Sequence, residues 1–541
     1  MNTVDAKKFK QMLVAGANRL EAEKKIVDEM NVFPVPDGDT GTNMSLTVTS
    51  AVREVMAVES DSVVDVAKAL SSGALRGARG NSGVIVSQLF RGLYKGLKGT
   101  DGLNAITLAA AMQRGMETAY KAVMKPKEGT ILTVAKAAAQ AAGEASLTSD
   151  DMAYVVEQAL SSAEETLAKT PDMLPVLKEA GVVDAGGKGL TLILRGFLES
   201  LRREDSEIDE IMALKSDSEK EEAAQAAEQA QYCVEYVAAD FANAKDFAAE
   251  LEKKLNEIGE SVIVAVEGSE VKAHLHTKNP GAALEAVTSK GALMNVKVEN
   301  KAVSHHHVLG LQNAQKKAEE PRKEVGFVTI SVGEGLKNLF TELGVDYILS
   351  GGQTMNPSTD DILHAAAQVN ADNVVVFPNN KNIILAAQQA ALLSKDQKIY
   401  VVPTKSIPQG IAAMIGYVAG ESMDYNMQEM TNAMNAVTSG SVTYAVRDTH
   451  MGEFDIHDGN ILAMKNGEMN QVGEDLMETT KKLISEMITD ETGLFTIYFG
   501  QESSEAQANE LSAYIQENYP SVEVDIQEGD QPIYYFLLSA E

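Results

Sequence analysis

The spacing of apolar residues changes twice along this 541-residue chain, and each change limits the folds that a segment can adopt. Through the N-terminal third the spacing is helical, as at Val63, Val66 and Leu70, and no convincing strand pattern is present. Two charged segments, 204–230 and 310–324, interrupt the apolar pattern, and we interpret them as linkers. After the second linker, short apolar runs alternate with helical patterns, which predicts βαβ units around a parallel sheet.

The pattern therefore predicts a multidomain protein with three folded parts. We expect an all-α domain at 1–203, an α+β domain at 231–309 and an α/β domain at 325–541. In the middle domain, "SVIVAVEGSEVKAHLHT" has the alternation of a β-hairpin, with its turn between Glu267 and Glu270. The end of the chain, with runs such as "LFTIYFG" and "QPIYYFLLSAE", favours antiparallel or mixed strands.

The chain carries 78 acidic and 47 basic side chains, which gives a net charge of −31 at neutral pH. This balance argues against nucleic-acid binding, and it should repel anionic membrane surfaces. No apolar run reaches the length of about 18 residues that a membrane-spanning helix needs, and the N-terminus has the pattern of an amphipathic helix instead of a signal peptide. A single cysteine, Cys233, excludes an intramolecular disulfide. We therefore expect a cytoplasmic protein with peripheral membrane contact at most.

One short motif, "PDGDTGTN", combines paired carboxylates with residues suited to a tight turn. Asp37 and Asp39 flank a single glycine, and like charges held so close repel each other unless a cation lies between them. Mg²⁺ accepts such hard oxygen ligands together with substrate phosphates. An ordinary surface turn would use the same residues, so the motif alone leaves both interpretations open.

Three further segments of the all-α domain have the composition of phosphate-binding loops: "GALRGARGNSGV", "KPKEGTILTV" and "GVVDAGGKGL". Glycine lets backbone N–H groups approach phosphate oxygens closely, although the Gly-Lys-Ser/Thr ending of a Walker A loop is missing. Each segment is a weak signal alone. Four glycine-bearing loops in one helical domain, one of them with paired aspartates, favour a nucleotide site over a purely structural bundle.

In this order, the four motifs resemble the nucleotide-binding domain of the dihydroxyacetone-kinase L-type family. The resemblance implies a barrel of antiparallel helices that holds ATP at one end through Mg²⁺, with two ions expected. It implies that Asp37 and Asp39 are catalytic metal ligands, with Asn31 as the nearest candidate for a third ligand upstream. The residues that it implies in nucleotide binding are Thr40, Gly41, Thr42, Asn43, Asn81, Ser82, Gly83, Thr130, Asp184, Ala185 and Gly186.

Two histidines of the middle domain are predicted to share one face of a strand. In "EVKAHLHT", His274 and His276 are two positions apart, and side chains alternate between the faces of a strand. Cys233 belongs to a second predicted strand, and a thiolate with two imidazoles could bind Zn²⁺ and leave one position open. Two alternatives stay open, namely a functional cluster without metal, or exposed edge histidines and an ordinary buried cysteine.

Over its full length the chain resembles the bacterial fatty acid kinase A proteins, through its domain order and through "SGGQTMNPST", "FPNNKN" and "PTKSIPQGI" in the last domain. The resemblance implies an ATP-dependent phosphotransferase that phosphorylates the carboxylate of a fatty acid. A separate fatty-acid-binding protein would present the fatty acid, and the acyl phosphate would serve phospholipid synthesis. It also implies that Cys233, His274 and His276 are needed for activity and that the last domain binds the carrier. We further expect a homodimer.

Two other functions stay open at this point. A kinase for a small substrate such as dihydroxyacetone would need only the all-α domain, and the two long additional domains argue against it. A nucleotide-sensing adaptor would bind ATP through the first domain and a protein partner through the last. The segment "SGGQTMNPST" is equally open, either as a strand-to-helix loop or as a surface for a partner or ligand.

Overall fold

The computed structural model describes residues 2–32, 38–100, 102–123, 125–203, 232–239, 244–267, 270–288, 292–300, 322–352, 356–446, 448–451 and 454–541. The chain divides into two compact units. One unit combines residues 1–203 with 321–541, and the other comprises residues 204–320. A helical N-terminal region is followed by regions that contain sheets, as the apolar patterns predicted.

Helices account for nearly all of the regular structure in residues 1–203. Their apolar stripes form one buried core, and polar residues begin several of them. For example, the side chain of Ser62 accepts a hydrogen bond from the backbone of Asp65, and Asn104 forms a capping box with Thr107. The helices are α1 (Ala6–Glu29), α2 (Thr40–Met56), α3 (Val63–Arg76), α4 (Gly80–Leu97), α5 (Ala105–Ala122), α6 (Ile131–Ser146), α7 (Met152–Ala168), α8 (Thr170–Met173), α9 (Pro175–Ala180) and α10 (Ala185–Arg202).

The long helices α1 to α7 each pack against the next, and α10 packs against both α7 and α1. A β-carbon on Gly196 of α10 would lie 2.5 Å from the carbonyl oxygen of Ala15, so only glycine allows this approach. The sequence predicted no strand here, but β1 (Thr3–Val4) and β2 (Leu103–Asn104) pair antiparallel. Strands of two residues carry no periodicity that a pattern could show. No helix in the described part of the chain has the length and apolar character needed to cross a membrane.

The unit at residues 204–320 is built on an antiparallel sheet. Its elements are β3 (Tyr232–Ala239), α11 (Ala244–Ile258), β4 (Glu260–Glu267), β5 (Glu270–Thr277), α12 (Pro280–Thr288) and β6 (Ala292–Asn300). The strand order is β4-β5-β3-β6, and the pairing of β4 with β5 confirms the predicted hairpin. Val234, Tyr236 and Leu275 are buried against the two helices, and the Tyr236 hydroxyl donates to the carbonyl of Ala283 at 3.2 Å.

Beyond residue 322, the first elements form a parallel sheet with helices between the strands. They are β7 (Lys323–Ser331), α13 (Glu334–Glu342), β8 (Tyr347–Ser350), α14 (Thr359–Gln368), β9 (Ala371–Phe377), α15 (Ile384–Leu393), β10 (Lys398–Val401), α16 (Ile407–Ile415) and α17 (Met423–Ala436). The order β10-β9-β7-β8 confirms the βαβ prediction. Val374 and Val376 join one apolar core while Val375 and Phe377 join another, as expected for a sheet covered on both faces.

The remaining residues form a second sheet with mixed strand directions, which confirms the pattern seen in the tail. The elements are β11 (Thr438–Tyr444), β12 (Thr449–Met451), β13 (Phe454–Ile456), β14 (Ile461–Lys465), β15 (Glu468–Gly473), α18 (Leu476–Met487), β16 (Leu494–Phe499), α19 (Glu505–Asn518), β17 (Glu523–Glu528) and β18 (Phe536–Ala540). The order is β15-β14-β11-β18-β16-β17, in which β16 and β17 run parallel and the other neighbours antiparallel. β12 and β13 form a separate hairpin.

Within the first unit, the helical region and the parallel-sheet region share an apolar core. Ala78, at the start of α4, is buried with Ile362 of α14 and Ala386 of α15. Beside this core, the side-chain amide of Gln88 donates to the amide oxygen of Gln389 at 3.0 Å, and both side chains are buried. We call this contact between α4 and the helices α14 and α15 the inter-lobe seam.

Candidate functional site

The first turn of α2 carries the predicted metal and phosphate motif. Asp39 lies immediately before α2, and Thr40, Gly41, Thr42 and Asn43 form its first turn. Asp37 lies outside the described residues. Because the first backbone N–H groups of a helix have no partner within the helix, this turn can receive an anion such as a phosphate.

Two residues near the end of α1 contact that turn. The hydroxyl of Thr40 donates to the side-chain oxygen of Asn31 at 2.9 Å, and Asn31 is buried. Asp28 accepts hydrogen bonds from the backbone N–H and the hydroxyl of Thr42, at 2.9 and 2.8 Å. The sequence analysis named Asn31 as the nearest upstream candidate and missed Asp28, because it searched for a carboxylate only after the end of α1. The spacing of about one helical turn between Asp28 and Asn31 could have pointed to it.

The glycine-rich segment after α3 lies directly against α2. Gly80 adopts a left-handed backbone with φ of 58°, and a β-carbon there would lie 2.5 Å from the side-chain amide nitrogen of Asn43. Asn81, Ser82 and Gly83 follow it in the first turn of α4. The structure thus brings two of the predicted phosphate-binding segments together, and the starts of α2 and α4 are adjacent.

The other two predicted segments also meet at helix starts. Thr130 precedes α6 and Asp184 precedes α10, where Asp184 accepts a hydrogen bond from the backbone N–H of Gly187 at 2.7 Å. Ala185 and Gly186 form the first turn of α10, and a β-carbon on Gly186 would lie 3.1 Å from Cβ of Ile131 in α6.

This pair of helix starts is linked to α2 by a close packing contact. A β-carbon on Gly189 of α10 would lie 2.5 Å from the terminal methyl carbon of Met44 in α2. The helices α2, α4, α6 and α10 therefore begin on the same side of the helical region. Together they bring all four motif segments into one neighbourhood.

Residues from the far end of the sequence complete this neighbourhood across the inter-lobe seam. The side-chain amide of Asn356 donates to the carboxylate of Asp39 at 2.5 Å. The guanidinium of Arg79 donates to the carbonyl of Asn356 at 2.8 Å and lies 3.2 Å from the carboxylate of Asp361. No local pattern indicates these contacts, because 317 residues separate Asp39 from Asn356.

The two C-terminal motifs of the seam were interpreted from sequence as a strand-to-helix loop or as a binding surface. Ser358 caps α14 in a capping box, so part of "SGGQTMNPST" is a helix start. Asn356 of the same motif contacts Asp39, and Asn382 of "FPNNKN" accepts a hydrogen bond from the side chain of Asn81 at 2.9 Å. Both motifs therefore contact the helical region of their own chain.

Asp184 is almost fully buried, with 5% of its surface exposed, and burial raises the pKa of its carboxyl to about 7. Hydrogen bonds from the backbone of Gly187 and Ile131 oppose this shift in the pKa because they favour the ionised form. Asp184 thus holds the starts of α6 and α10 together, and its charge depends on pH near neutrality.

In the middle unit, the strand register places the three predicted functional residues on neighbouring strands. Cys233 pairs with His276 across β3 and β5, and Glu235 pairs with His274. The alternation of a strand assigns all three to the face opposite the buried Val234. Their side chains are not among the described ones, and among the side chains that are, no group of three or more His, Cys, Asp or Glu could hold a metal ion.

We expect Asp184→Asn to change how stability depends on pH. The pKa of Asp184 is higher in the folded chain, about 7, than its ordinary value of 3.8. The wild type should therefore lose stability as pH rises through this interval, by at most roughly 4 kcal/mol. The variant keeps an acceptor oxygen but cannot ionise, so its unfolding temperature should gain on that of the wild type between about pH 5 and pH 8.

Thermal unfolding of the full-length proteins, followed by circular dichroism, measures this difference. Asp475→Asn is the control, because Asp475 caps α18 at an exposed position and accepts from the backbone of Glu478 at 2.8 Å. Parallel pH profiles for the wild type and Asp184→Asn would contradict the prediction.

Three family models match the chain in sequence order. The DAK2 domain model matches residues 34–199. The middle-domain model of the FakA-like (fatty acid kinase A-like) family matches residues 229–308, and the C-terminal model of the same family matches residues 326–541.

Relatives match over the full length, whereas solved structures match only in part. Protein YloV of Bacillus subtilis is 40% identical over 552 residues, and "Uncharacterized protein SAR1202" of Staphylococcus aureus is 40% identical over 553 residues, with complete coverage of all chains. The Streptococcus pneumoniae Fatty Acid Kinase B3 protein, loaded with linoleic acid, aligns with 40% of this chain and 99% of its own at 13% identity and a TM-score of 0.29. Dihydroxyacetone kinase from C. freundii, in complex with AMP-PNP and Mg²⁺, aligns with 41% of this chain and 48% of its own at 15% identity and a TM-score of 0.30.

Such TM-scores are too low to establish a shared fold, but the sequence matches need no support from them. The three models cover the helical, middle and C-terminal regions in turn, and relatives with 40% identity extend from end to end. The chain therefore belongs to the fatty acid kinase A-like (FakA-like) family.

Proposed function

We propose that the chain is an ATP-dependent kinase subunit that phosphorylates the carboxylate of a fatty acid, with the acyl phosphate as product for phospholipid synthesis. The observation that carries the proposal is the meeting of the helix starts of α2 and α4 at Asp39 and Asn81, in a chain of the FakA-like family. As the helices pack in succession and α10 returns to α1, we propose that they form an antiparallel barrel with ATP at the end where α2, α4, α6 and α10 begin.

The proposed reaction is a direct transfer of a phosphoryl group. A carboxylate oxygen of the fatty acid forms a bond to the γ-phosphorus of ATP, the bond to the β–γ bridging oxygen breaks, and ADP leaves. A fatty acid carboxyl is ionised near neutral pH, so no proton has to be removed from the acceptor. The main tasks of the protein are then to position the phosphates and to balance their charge.

The oxygen atoms around Asp39 suit Mg²⁺, which prefers hard oxygen ligands. The side-chain oxygen of Asn356, a residue 3% exposed, has no hydrogen-bond partner among the described residues although its amide contacts Asp39. A buried oxygen without a partner is costly unless a cation or water meets it. We assign Asp39, together with Asp37, to Mg²⁺, with Asn31, Asp28 and Asn356 as further candidates.

When bound, Mg²⁺ would neutralise charge on the phosphoryl group. The other tasks belong to the chain itself. We assign phosphate binding to the first turn of α2 (residues 40–43) and the first turn of α4 (residues 81–83), where backbone N–H groups and side-chain hydroxyl and amide groups are available. Thr130 and residues 184–186, at the starts of α6 and α10, would line the rest of the nucleotide pocket.

A separate carrier for the fatty acid is consistent with the family, whose description denotes one component of a larger enzyme. We propose that a fatty-acid-binding protein presents the carboxylate and that the C-terminal region binds this carrier. The active assembly would contain two copies of the chain. A small hydroxy-ketone as acceptor, or a nucleotide-sensing adaptor without turnover, would not need a carrier loaded with fatty acid.

We expect ATP turnover by the full-length protein to require both a fatty acid and its carrier, and Asp39→Asn to reduce the rate at least a hundredfold. The reason is that a neutral amide cannot replace a metal-binding carboxylate where charge develops. The measurement is acyl phosphate and ADP production, with dihydroxyacetone as the alternative acceptor. Asp372→Asn, an exposed change on β9, is the control. Turnover with dihydroxyacetone alone, or wild-type rates in folded Asp39→Asn, would refute the proposal.

We expect Asn356→Ala to lower the turnover rate about tenfold and to raise the Mg²⁺ concentration needed for half-maximal rate. Residues that orient a metal ligand commonly contribute 10- to 100-fold to affinity or activity. The matched control is Asn373→Ala, which removes an exposed amide that donates to the carbonyl of Glu324 at 2.9 Å. If both variants show the wild-type dependence on Mg²⁺, Asn356 does not act on the metal site.

We further propose that Cys233, His274 and His276 form a functional cluster in the middle unit and that it binds Zn²⁺. The support is their placement on paired strands, on one face of the sheet. We expect about one zinc per chain in protein purified without added metal, and its loss in Cys233→Ala and His274→Ala. Active wild-type protein without zinc would leave a metal-free cluster. Full activity in the alanine variants of all three residues would remove the cluster altogether.

A further inference from the structure

The C-terminal region contains a cavity of about 390 Å³ between its two sheets. One side is formed by the segments that follow the strands β7, β8, β9 and β10, and the other by β11, the β14–β15 turn and the loop before β18. The wall is largely apolar and includes Ile330, Val332, Leu336, Val437, Met464 and Leu537. The volume lies in the range of small-molecule sites in proteins.

The position of the cavity in the sheet is one where ligands commonly bind. In the strand order β10-β9-β7-β8, the chain passes from β7 to β8 on one side and then returns to β9 on the other. The segments after β7 and β9 therefore diverge and leave a crevice at the carboxyl ends of the strands. Ser331 and Val332 follow β7 on one side of this crevice, and Pro378 to Lys381 follow β9 on the other.

The charge of the cavity is opposite to that of the whole chain. Among the described residues that line it, Lys381 and Lys405 are charged and no carboxylate is present, although the chain has a net charge of −31. Burial lowers the pKa of Lys381, the ammonium of Lys405 lowers it further, and the carboxylate of Glu468 opposes the shift. The start of α16, after Ser406, adds the partial positive charge of a helix N-terminus.

Two buried polar atoms of the lining have no hydrogen-bond partner among the described residues. They are the hydroxyl of Ser331 and the side-chain oxygen of Gln531, both in residues that are 1% exposed. Buried polar groups nearly always have a partner, because leaving one without a partner is costly. A ligand in the cavity would supply a partner to the Ser331 hydroxyl, which can donate to an oxyanion.

Backbone strain is also concentrated at the cavity. Within the described part of the chain, the non-glycine residues with positive φ are Asn379 (54°), Asn466 (53°), Asp530 (50°) and Ile533 (73°). Asn379 and Asn466 line the cavity, and Asp530 and Ile533 flank its lining residues Gln531 and Pro532. This conformation is least favourable for a β-branched residue such as isoleucine, and strain of this kind clusters at functional sites.

We propose that this cavity binds an amphipathic oxyanion, namely a carboxylate or a phosphate monoester with an aliphatic body. The oxyanion lies between Lys381, Lys405 and the Ser331 hydroxyl, and the aliphatic body lies along the apolar wall. This site is separate from the nucleotide site at Asp39, and the proposal does not rest on the kinase function.

The test is calorimetric titration of the full-length protein, without nucleotide, with octanoate, octyl phosphate and inorganic phosphate. We expect saturable binding of one octyl compound per chain, weakened about tenfold or more by Lys381→Gln and by Lys405→Gln, because a charge-assisted hydrogen bond is lost. Lys482→Gln, which removes an exposed charge from α18 outside the cavity, is the matched control and should bind like the wild type. Circular dichroism establishes that each variant is folded.

Preference for octanoate or for octyl phosphate identifies the head group, and either result supports the site. Inorganic phosphate binding as tightly as octyl phosphate would overturn the role of the apolar wall. Absence of saturable binding, or equal binding by the wild type and both lysine variants, would overturn the proposal. Asp39→Asn should still bind the octyl compound, with hydrogen-exchange protection at residues 331–333 and 378–382. A failure of the kinase proposal is thereby distinguishable from a failure of this one.

Discussion

The hydrogen bond from Asn356 to Asp39 joins the two halves of the first unit at the residue on which the proposed chemistry depends. It is supported on one side by the pair of Arg79 and Asp361 and on the other by the buried amide pair of Gln88 and Gln389. Separating the two regions would leave these buried groups without partners, at a cost of roughly 1–3 kcal/mol for each neutral one. The position of the Asp39 carboxylate is therefore fixed by the fold of residues more than three hundred positions away.

Features that depend on neighbouring residues could be predicted from the sequence. The stripe of Val63, Val66 and Leu70 is part of α3, and the alternation around Glu267 and Glu270 is the hairpin of β4 and β5. These patterns are local, because each face of a helix or strand is decided by side chains a few positions apart. The four motif segments were also found, because glycine and capping residues mark helix starts by their chemistry alone.

Features that depend on tertiary packing could not be predicted in this way. Asp28 contacts the first turn of α2 only because α1 ends beside it, and in the sequence it is one of several charged residues at the end of a helix. Asn356 lies in a segment whose composition fits an ordinary turn before a capped helix, and its partner is 317 residues away. The two lysines of the cavity are likewise 24 positions apart, and only the sheet order brings Lys381 and Lys405 to one crevice.

The loop after β9 connects the cavity with the helical region. Asn379 and Lys381 line the cavity, whereas Asn382 accepts a hydrogen bond from Asn81 in the first turn of α4. The loop is held rigidly, because the Asn379 side chain donates to the hydroxyl of Thr329 at 2.8 Å and accepts from that of Thr404 at 2.8 Å. The charged lining of the cavity and the start of α4 are therefore separated by a few residues of fixed backbone. The C-terminal region is consequently a structural part of the proposed nucleotide site, and cutting the chain before it would alter that site as well as removing a surface for a partner.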